Sequence, residues 1–380
     1  MAVSDHSSAR RTAGAASKDS KRCLAALSCR LALPPRLAGT IPRDTAGTGC
    51  RGDHRTPGMQ RILLVKTTSL GDVIHCLPAV SDIARHYPGA RIDWVVEETY
   101  VDVVALHPAV SRVLPVAVRR WRRGLVARGT REEVAAFRKS LDAEGYDRVI
   151  DAQGLAKSAL LARMARGERH GLDWSSAREW IASFGYSRRH AVPWTLDAVA
   201  RNRKLVGDAL GYVPHGAPDY GIAAAPADFD WLPRSPYCVC LTATSDAAKL
   251  WPESHWHALL ACLSDAGMGI VLPTGMEAEY KRAQRIAAGA GAEAVLSPPL
   301  TLAQMARVLA GAALAIGVDT GLTHFAAALA CPTVGIYCST SPARTGVIGS
   351  RACNVGEVAR TPEARAVWEA ARAMIEPVTA

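Results

Sequence analysis

The stretch Ile62-Leu63-Leu64-Val65-Lys66-Thr67-Thr68-Ser69-Leu70-Gly71-Asp72 decides the fold class. Four consecutive apolar residues fit a strand covered on both faces, and a polar loop then leads into a helix predicted across Asp72–His86. The alternation continues with strands at Ile92–Val96, Val113–Val116 and Arg148–Ile150 and helices near Tyr100–Leu106, Glu132–Glu144 and Lys157–Ala165. Strand and helix in regular exchange are the pattern of βαβ units, and hence of a parallel sheet. A polar section rich in Trp and Arg, Gly171–Trp194, interrupts the pattern before a helix returns at Leu196–Leu210.

Gly211–Pro236 contains five prolines and reads as an interdomain linker. A second series follows it, with strands predicted at Tyr237–Leu241, Gly269–Leu272, Leu314–Val318 and Thr333–Tyr337. Its helices are predicted at Glu253–Asp265, Glu277–Ala288, Leu302–Ala310 and Leu322–Ala330. The expected organisation is a leader over 1–58, one α/β domain over 59–230 and a second over 231–360. A final helix, Pro362–Met374 within 361–380, is expected to cross back to the first domain. Two doubly wound domains of this kind face each other across a cleft at the carboxyl ends of their strands.

At 380 residues, 49% hydrophobic and 21% charged, the chain exceeds what one core accommodates and is neither collagenous nor wholly disordered. The longest apolar candidate, Val308–Val318, is closed by Asp319, short of a membrane-spanning helix. Residues 1–58 hold ten Lys and Arg against four Asp, so most of the formal +10 charge sits in a segment without apolar periodicity. That leader matches no folding pattern, and Met59, just before the first strand, is the expected start of folded structure. The remainder is only mildly basic, which argues against a nucleic-acid partner. The ten cysteines form no C-x-x-C pair and no zinc spacing. Cys238 and Cys240 are expected to share one face of a strand as small buried hydrophobes.

Several loops after strands carry candidate chemistry. Lys66–Asp72 is neither a G-x-G-x-x-G loop nor a P-loop, yet it places a Lys, three hydroxyls and a carboxylate at a strand's carboxyl end. Asp72 either caps the following helix or serves a site. After Leu314–Val318 come Asp319, Thr320, Gly321 and, one turn along, His324. Amides of Thr320 and Gly321 at a helix N-terminus suit a phosphate, although a capped helix with a buried His would look the same. Thr242–Ser245 and Lys249 suit an anion, while Trp251-Pro252 could be a structural staple. Glu277 and Glu279 suit ribose hydroxyls or merely complement a helix dipole. Arg119-Arg120-Trp121-Arg122-Arg123 suits an acidic ligand or a solvated loop. Asp151–Ser158 opens toward the cleft.

Together these motifs resemble the lipopolysaccharide heptosyltransferases, an inverting glycosyltransferase family with the GT-B fold. The resemblance is carried by Val65–His75, Arg119–Arg122, Asp151–Ser158, His170-Gly171-Leu172-Asp173-Trp174, Lys249–Glu253 and Gly317–His324, and covers the chain from about Met59 onward. The Lys66–Asp72 loop and the His170–Trp174 segment favour the type I branch over type II or another core glycosyltransferase. A nucleotide-sugar epimerase is a more distant rival. The resemblance implies transfer of L-glycero-D-manno-heptose from ADP-heptose to the inner Kdo of Kdo2-lipid A, with Asp72 as catalytic base. It implies that Thr244, Ser245, Lys249, Thr320 and Gly321 bind the leaving diphosphate. Asp319 would hold the heptose and Glu279 the ribose, with His324 also on the donor side. Lys66, Arg119 and Arg120 would face the anionic acceptor. No metal or other cofactor is expected, since ADP-heptose is a substrate. A cytoplasmic protein, peripheral on the inner membrane through a basic face instead of a hydrophobic anchor, is the expected setting.

Overall fold

The computed structural model describes residues 61–124, 127–142, 145–290 and 293–375. The expected leader lies outside them. The described residues form one compact unit, built on two six-stranded sheets. The first contains β1 (Arg61–Val65), β2 (Arg91–Glu97), β3 (Val110–Val116), β4 (Arg148–Asp151), β5 (Glu168–Leu172) and β6 (Arg188–His190). The second contains β7 (Tyr237–Leu241), β8 (Gly269–Leu272), β9 (Ala294–Leu296), β10 (Leu314–Val318), β11 (Thr333–Ile336) and β12 (Ala352–Val355). Their orders are β3-β2-β1-β4-β5-β6 and β12-β11-β10-β7-β8-β9, and every pairing is parallel. Each order is doubly wound, reversing direction between β1 and β4 in one sheet and between β7 and β10 in the other.

Period-two alternation explains the layering. Ile62 and Leu64 enter one hydrophobic cluster, while Leu63 and Val65 enter another on the opposite face. In β7, Val239 and Leu241 join the same cluster as Ile62 and Leu64, so one core runs between the two sheets. Cys238 and Cys240 point the other way, fully buried with their sulfurs 3.8 Å apart, as their spacing implies. All seven cysteines among the described residues are free thiols.

Departures from the sequence reading have local causes. The helix expected across Asp72–His86 is two, Leu70–Ile74 and Leu77–His86. Pro78 has no N–H to offer and its ring would meet the carbonyl of Ile74, so a continuous helix cannot form there. Four strands were not foreseen. β6, β9 and β12 have only three or four residues, and β5 and β6 are rich in charge, a composition common at sheet margins but poor in alternation. The C-terminal helix, Ala364–Ile375, does not cross back to the first sheet. Its buried residues Val367 and Ala371 pack with Leu314, Ile316, Val334 and Ile336 of the second sheet.

Trp251 turns out to be the staple considered above. It is fully buried, edge-on to Trp256 at 5.0 Å, and donates its indole N–H to the carbonyl of Pro362 at 2.8 Å. This ties the loop carrying Lys249 to the turn before the last helix. Trp251→Ala should lower unfolding free energy by about 3–5 kcal/mol and Trp251→Phe by only about 1–2. Urea unfolding checks both; equal losses in the two variants would contradict the staple.

Candidate active site

The loops following β1, β4, β7 and β10, the strands at the two switch points, converge at one end of the sheets and line two adjoining cavities of about 700 and 750 Å³. They meet because two short helices touch there. Helix Leu70–Ile74 packs against helix Gly321–Ala328, and a Cβ placed on Gly321 would lie 2.7 Å from Cβ of Leu70. Only glycine permits that approach.

The smaller cavity is cationic. Lys66, Arg178, Arg201 and Arg344 line it, with Asp72 the only carboxylate among its described walls. Lys66 is 6% exposed, and its ammonium donates to the carbonyl of Ala152 at 2.7 Å and to Oδ1 of Asn202 at 3.3 Å, both neutral. Trp94 Nε1 and Gln153 Oε1 hold the backbone around it, through the Lys66 carbonyl and the amides of Thr67 and Thr68. Arg201 spends donors on the carbonyls of Val192, Pro193 and Ser176 and stacks on Trp194 at 3.9 Å. Arg344 comes from the second half of the chain and reaches the same indole at 5.7 Å. Burial and the neighbouring Arg344 charge lower the pKa of Arg201. Positive charges gathered this way without matching carboxylates constitute a receptor for an anionic ligand.

The larger cavity is rich in hydroxyls and backbone donors. Thr242, Thr244, Ser245 and Lys249 come from the loop after β7, and Asp319, Thr320, Gly321 and His324 from the loop and helix after β10. The first amides of helix Gly321–Ala328 have no intrahelical acceptor and face this end of the sheet. Asp319 organises the centre. Its Oδ2 takes a 2.8 Å ion pair from Lys249 and a 2.6 Å hydrogen bond from Thr340, and its Oδ1 lies 3.5 Å from Nε2 of His324. Burial alone would raise its pKa, but His324, Lys249 and Thr340 outweigh this and hold the carboxyl well below the usual range. Glu279 lines the cavity and accepts from the amide of Met276, whereas Glu277 is exposed and paired with Lys281.

Asp72 lines both cavities. Its Oδ2 accepts from the amide of Ser69 at 3.0 Å, capping its own helix, while Oδ1 accepts nothing from the described residues. One carboxylate therefore caps its helix and borders both cavities, its two oxygens differently engaged.

The arginine cluster divides. Trp121 is buried and donates to Glu133, and Arg119 borders the larger cavity instead of the cationic one. Arg120 lines neither cavity. Its guanidinium is held by Glu133 at 2.7 Å and Glu98 at 3.0 Å, so its charge is already matched. The cationic cavity is lined instead by Arg178 in the polar Trp- and Arg-rich section, Arg201 within the predicted helix Leu196–Leu210, and Arg344, none of them marked by a motif. Thr340 and His75 were missed too. Nε2 of His75 sits 3.2 Å from Nδ1 of His324, joining the two helices at their contact. Among the described residues no cluster of three or more His, Cys, Asp or Glu could hold a metal ion, and no helix is long and apolar enough to cross a membrane.

Residues 134–370 match the model of glycosyltransferase family 9 (heptosyltransferase). The chain is 44% identical over 326 residues to lipopolysaccharide heptosyltransferase 1 of Escherichia coli K12, covering 84% of this chain and 99% of that protein. It is 48% identical over 299 residues to the protein of the same name from Pseudomonas aeruginosa, covering 78% and 83%. The solved structure of E. coli heptosyltransferase WaaC with ADP superposes with a TM-score of 0.76 at 42% identity, covering 83% of this chain and all of that one. The matched architecture is the two-domain GT-B arrangement of parallel sheets.

The histidine contact has a measurable signature. Burial, foremost, and then the charges of His324 and Lys66 push the pKa of His75 well below 6.5, with Asp319 opposing. The folded protein thus binds fewer protons at His75 than the unfolded chain does. Its contribution is complete above the unfolded value of 6.5 and is lost as pH falls below it. Urea midpoints should therefore drop between about pH 7 and 5, and His75→Gln should reduce that slope. An unchanged slope in the variant would contradict the assignment.

Proposed function

The chain belongs to glycosyltransferase family 9, the heptosyltransferases, and from that premise we propose that it moves L-glycero-D-manno-heptose from ADP-heptose to the inner Kdo of Kdo2-lipid A with inversion at the anomeric carbon. The single observation that carries this reading is Asp72, whose carboxylate borders a cationic cavity on one side and a hydroxyl-rich one on the other. The related WaaC structures were solved with ADP and with ADP-2-deoxy-2-fluoro heptose.

On this reading the larger cavity takes the donor. Lys249, Thr244, Ser245 and the amides of Thr320 and Gly321 bind the diphosphate, Glu279 the ribose, and Asp319 the heptose hydroxyls, with His324 holding Asp319. The apolar residues Leu300, Leu302 and Met305 on the same wall suit the base. The cationic cavity takes the acidic acceptor sugar on Lys66, Arg178, Arg201 and Arg344, and Arg119 stands at the border of the donor side. Asp72 removes the proton from the attacking hydroxyl as the new bond to C1 forms. The C1–oxygen bond to the diphosphate breaks on the opposite face, and ADP leaves with the electron pair, stabilised by Lys249 and the helix amides. Acidic sugar and negative leaving group are thus received by separate sets of cations. The acceptor being a membrane lipid, the enzyme works at the cytoplasmic face of the inner membrane.

Because one oxygen of Asp72 caps its helix, the informative variant is Asp72→Asn, whose amide oxygen still accepts from Ser69. It should retain fold and ADP affinity while kcat falls by about 10²–10⁴-fold. Lys249→Met should weaken ADP affinity and slow turnover together. ADP release, measured with and without Kdo2-lipid A, reads both. Near-normal turnover in Asp72→Asn, or release indifferent to the acceptor, would overturn the proposal.

A further inference from the structure

The segment following β5 has a composition that its fold does not bury. Trp174, Trp180, Ile181 and Phe184 are 70%, 63%, 53% and 64% exposed. With Leu160 and Trp194 they make up six of the ten large apolar side chains exposed among the described residues, so the exposure is concentrated, not scattered. Helix Ala156–Met164, which bears Leu160, packs directly against the turn Trp180–Gly185.

This turn is held from beneath. Ala182 is fully buried against Ala159 and Tyr186, and the Glu179 amide donates to the carbonyl of Gly154. The Glu179 carboxylate accepts from the amide of Ala156, and Arg189 Nε donates to the carbonyl of Ser183. Trp180 and Phe184 lie edge to face with centroids 5.8 Å apart. The chain therefore orders a small aromatic ridge and presents it outward, where water makes apolar area costly.

Charge surrounds the ridge. Arg178 and Arg189 flank it, neither with a carboxylate partner among the described residues, and Arg178 also lines the cationic cavity. Trp194, whose indole N–H donates to the carbonyl of Ser175, adds an exposed indole at that cavity's wall. Trp, Phe and Ile framed by arginines are suited to the boundary between acyl chains and anionic headgroups.

We propose that the ridge Trp180–Ile181–Phe184 is an interfacial anchor that seats the enzyme on an anionic bilayer with the cationic cavity facing the headgroups. A lipid-linked acidic sugar could then enter the cavity while its acyl chains stay in the membrane. On this proposal a hydrophobic anchor framed by arginines takes the place of the purely basic face expected from the sequence. The anchor rests on the transfer reading only for the identity of the lipid drawn into the cavity.

The test uses the full chain and its Trp180→Ser/Ile181→Ser/Phe184→Ser variant, with the single change Trp180→Gln as a milder companion. Co-sedimentation with vesicles of phosphatidylethanolamine and phosphatidylglycerol, without acceptor, should show roughly tenfold or greater loss of binding in the triple variant and a smaller loss in the single one. Transfer to Kdo2-lipid A in those vesicles should fall in parallel, while transfer to the same acceptor stripped of acyl chains should stay at the wild-type rate. Wild-type vesicle binding by the triple variant would overturn the proposal. So would a ridge-dependent, concentration-dependent dimer that accounts for the exposed surface without lipid. Absence of transfer to any acceptor by the wild-type chain would refute the transfer reading, and vesicle binding would still decide the anchor.

Discussion

The contact between Gly71 and Gly321 is the constraint on which the site depends. Helix Leu70–Ile74 carries Asp72, and helix Gly321–Ala328 begins beside Thr320. A Cβ on Gly321 would lie 2.7 Å from Cβ of Leu70, too close for any side chain, and 3.0 Å from the amide nitrogen of Gly71. With Gly321 bare, the two helix starts meet and the cavities adjoin. His75 and His324 close the same contact one turn further in. A doubly wound sheet places loops at its carboxyl edge in any case; this contact makes two such edges into one site.

Electrostatics then separate the two sides. In the larger cavity Lys249 and Asp319 form a pair, supported by Thr340, so each is oriented before any ligand arrives. In the smaller one Lys66, Arg201 and Arg344 are held by carbonyls, an amide and an indole, none of which cancels their charge. The first arrangement suits a ligand with both hydroxyls and phosphates, the second an acid. Asp72 borders both, and keeping one of its oxygens in a helix cap fixes the direction of the other.

Much of this could be read from the chain. The central strands β1, β7 and β10 announce themselves as apolar runs followed by loops of small and polar residues, and Asp72, Lys249, Asp319 and Gly321 fall in those loops. The marginal strands could not be read: Arg188–His190 is three polar residues, and Ala352–Val355 is a four-residue stretch interrupted by Asn354. Nothing in the sequence sets Arg120 apart from its neighbours; the fold brings Glu98 and Glu133 to it and occupies its charge. Arg344 and Thr340 reach the site through chain topology alone. No local pattern announces such residues, since their relevance exists only once the second sheet is folded against the first.

In the proposed transfer one carboxylate between two cavities drives a single displacement. In such a displacement the acceptor oxygen arrives opposite the departing diphosphate, so the configuration at C1 must reverse. Determining the anomeric configuration of the freshly formed heptosyl linkage by NMR, against that of the donor, tests this most directly. Inversion is the predicted result. Retention would require a covalent or same-face path for which Asp72 alone is insufficient, and would contradict the account.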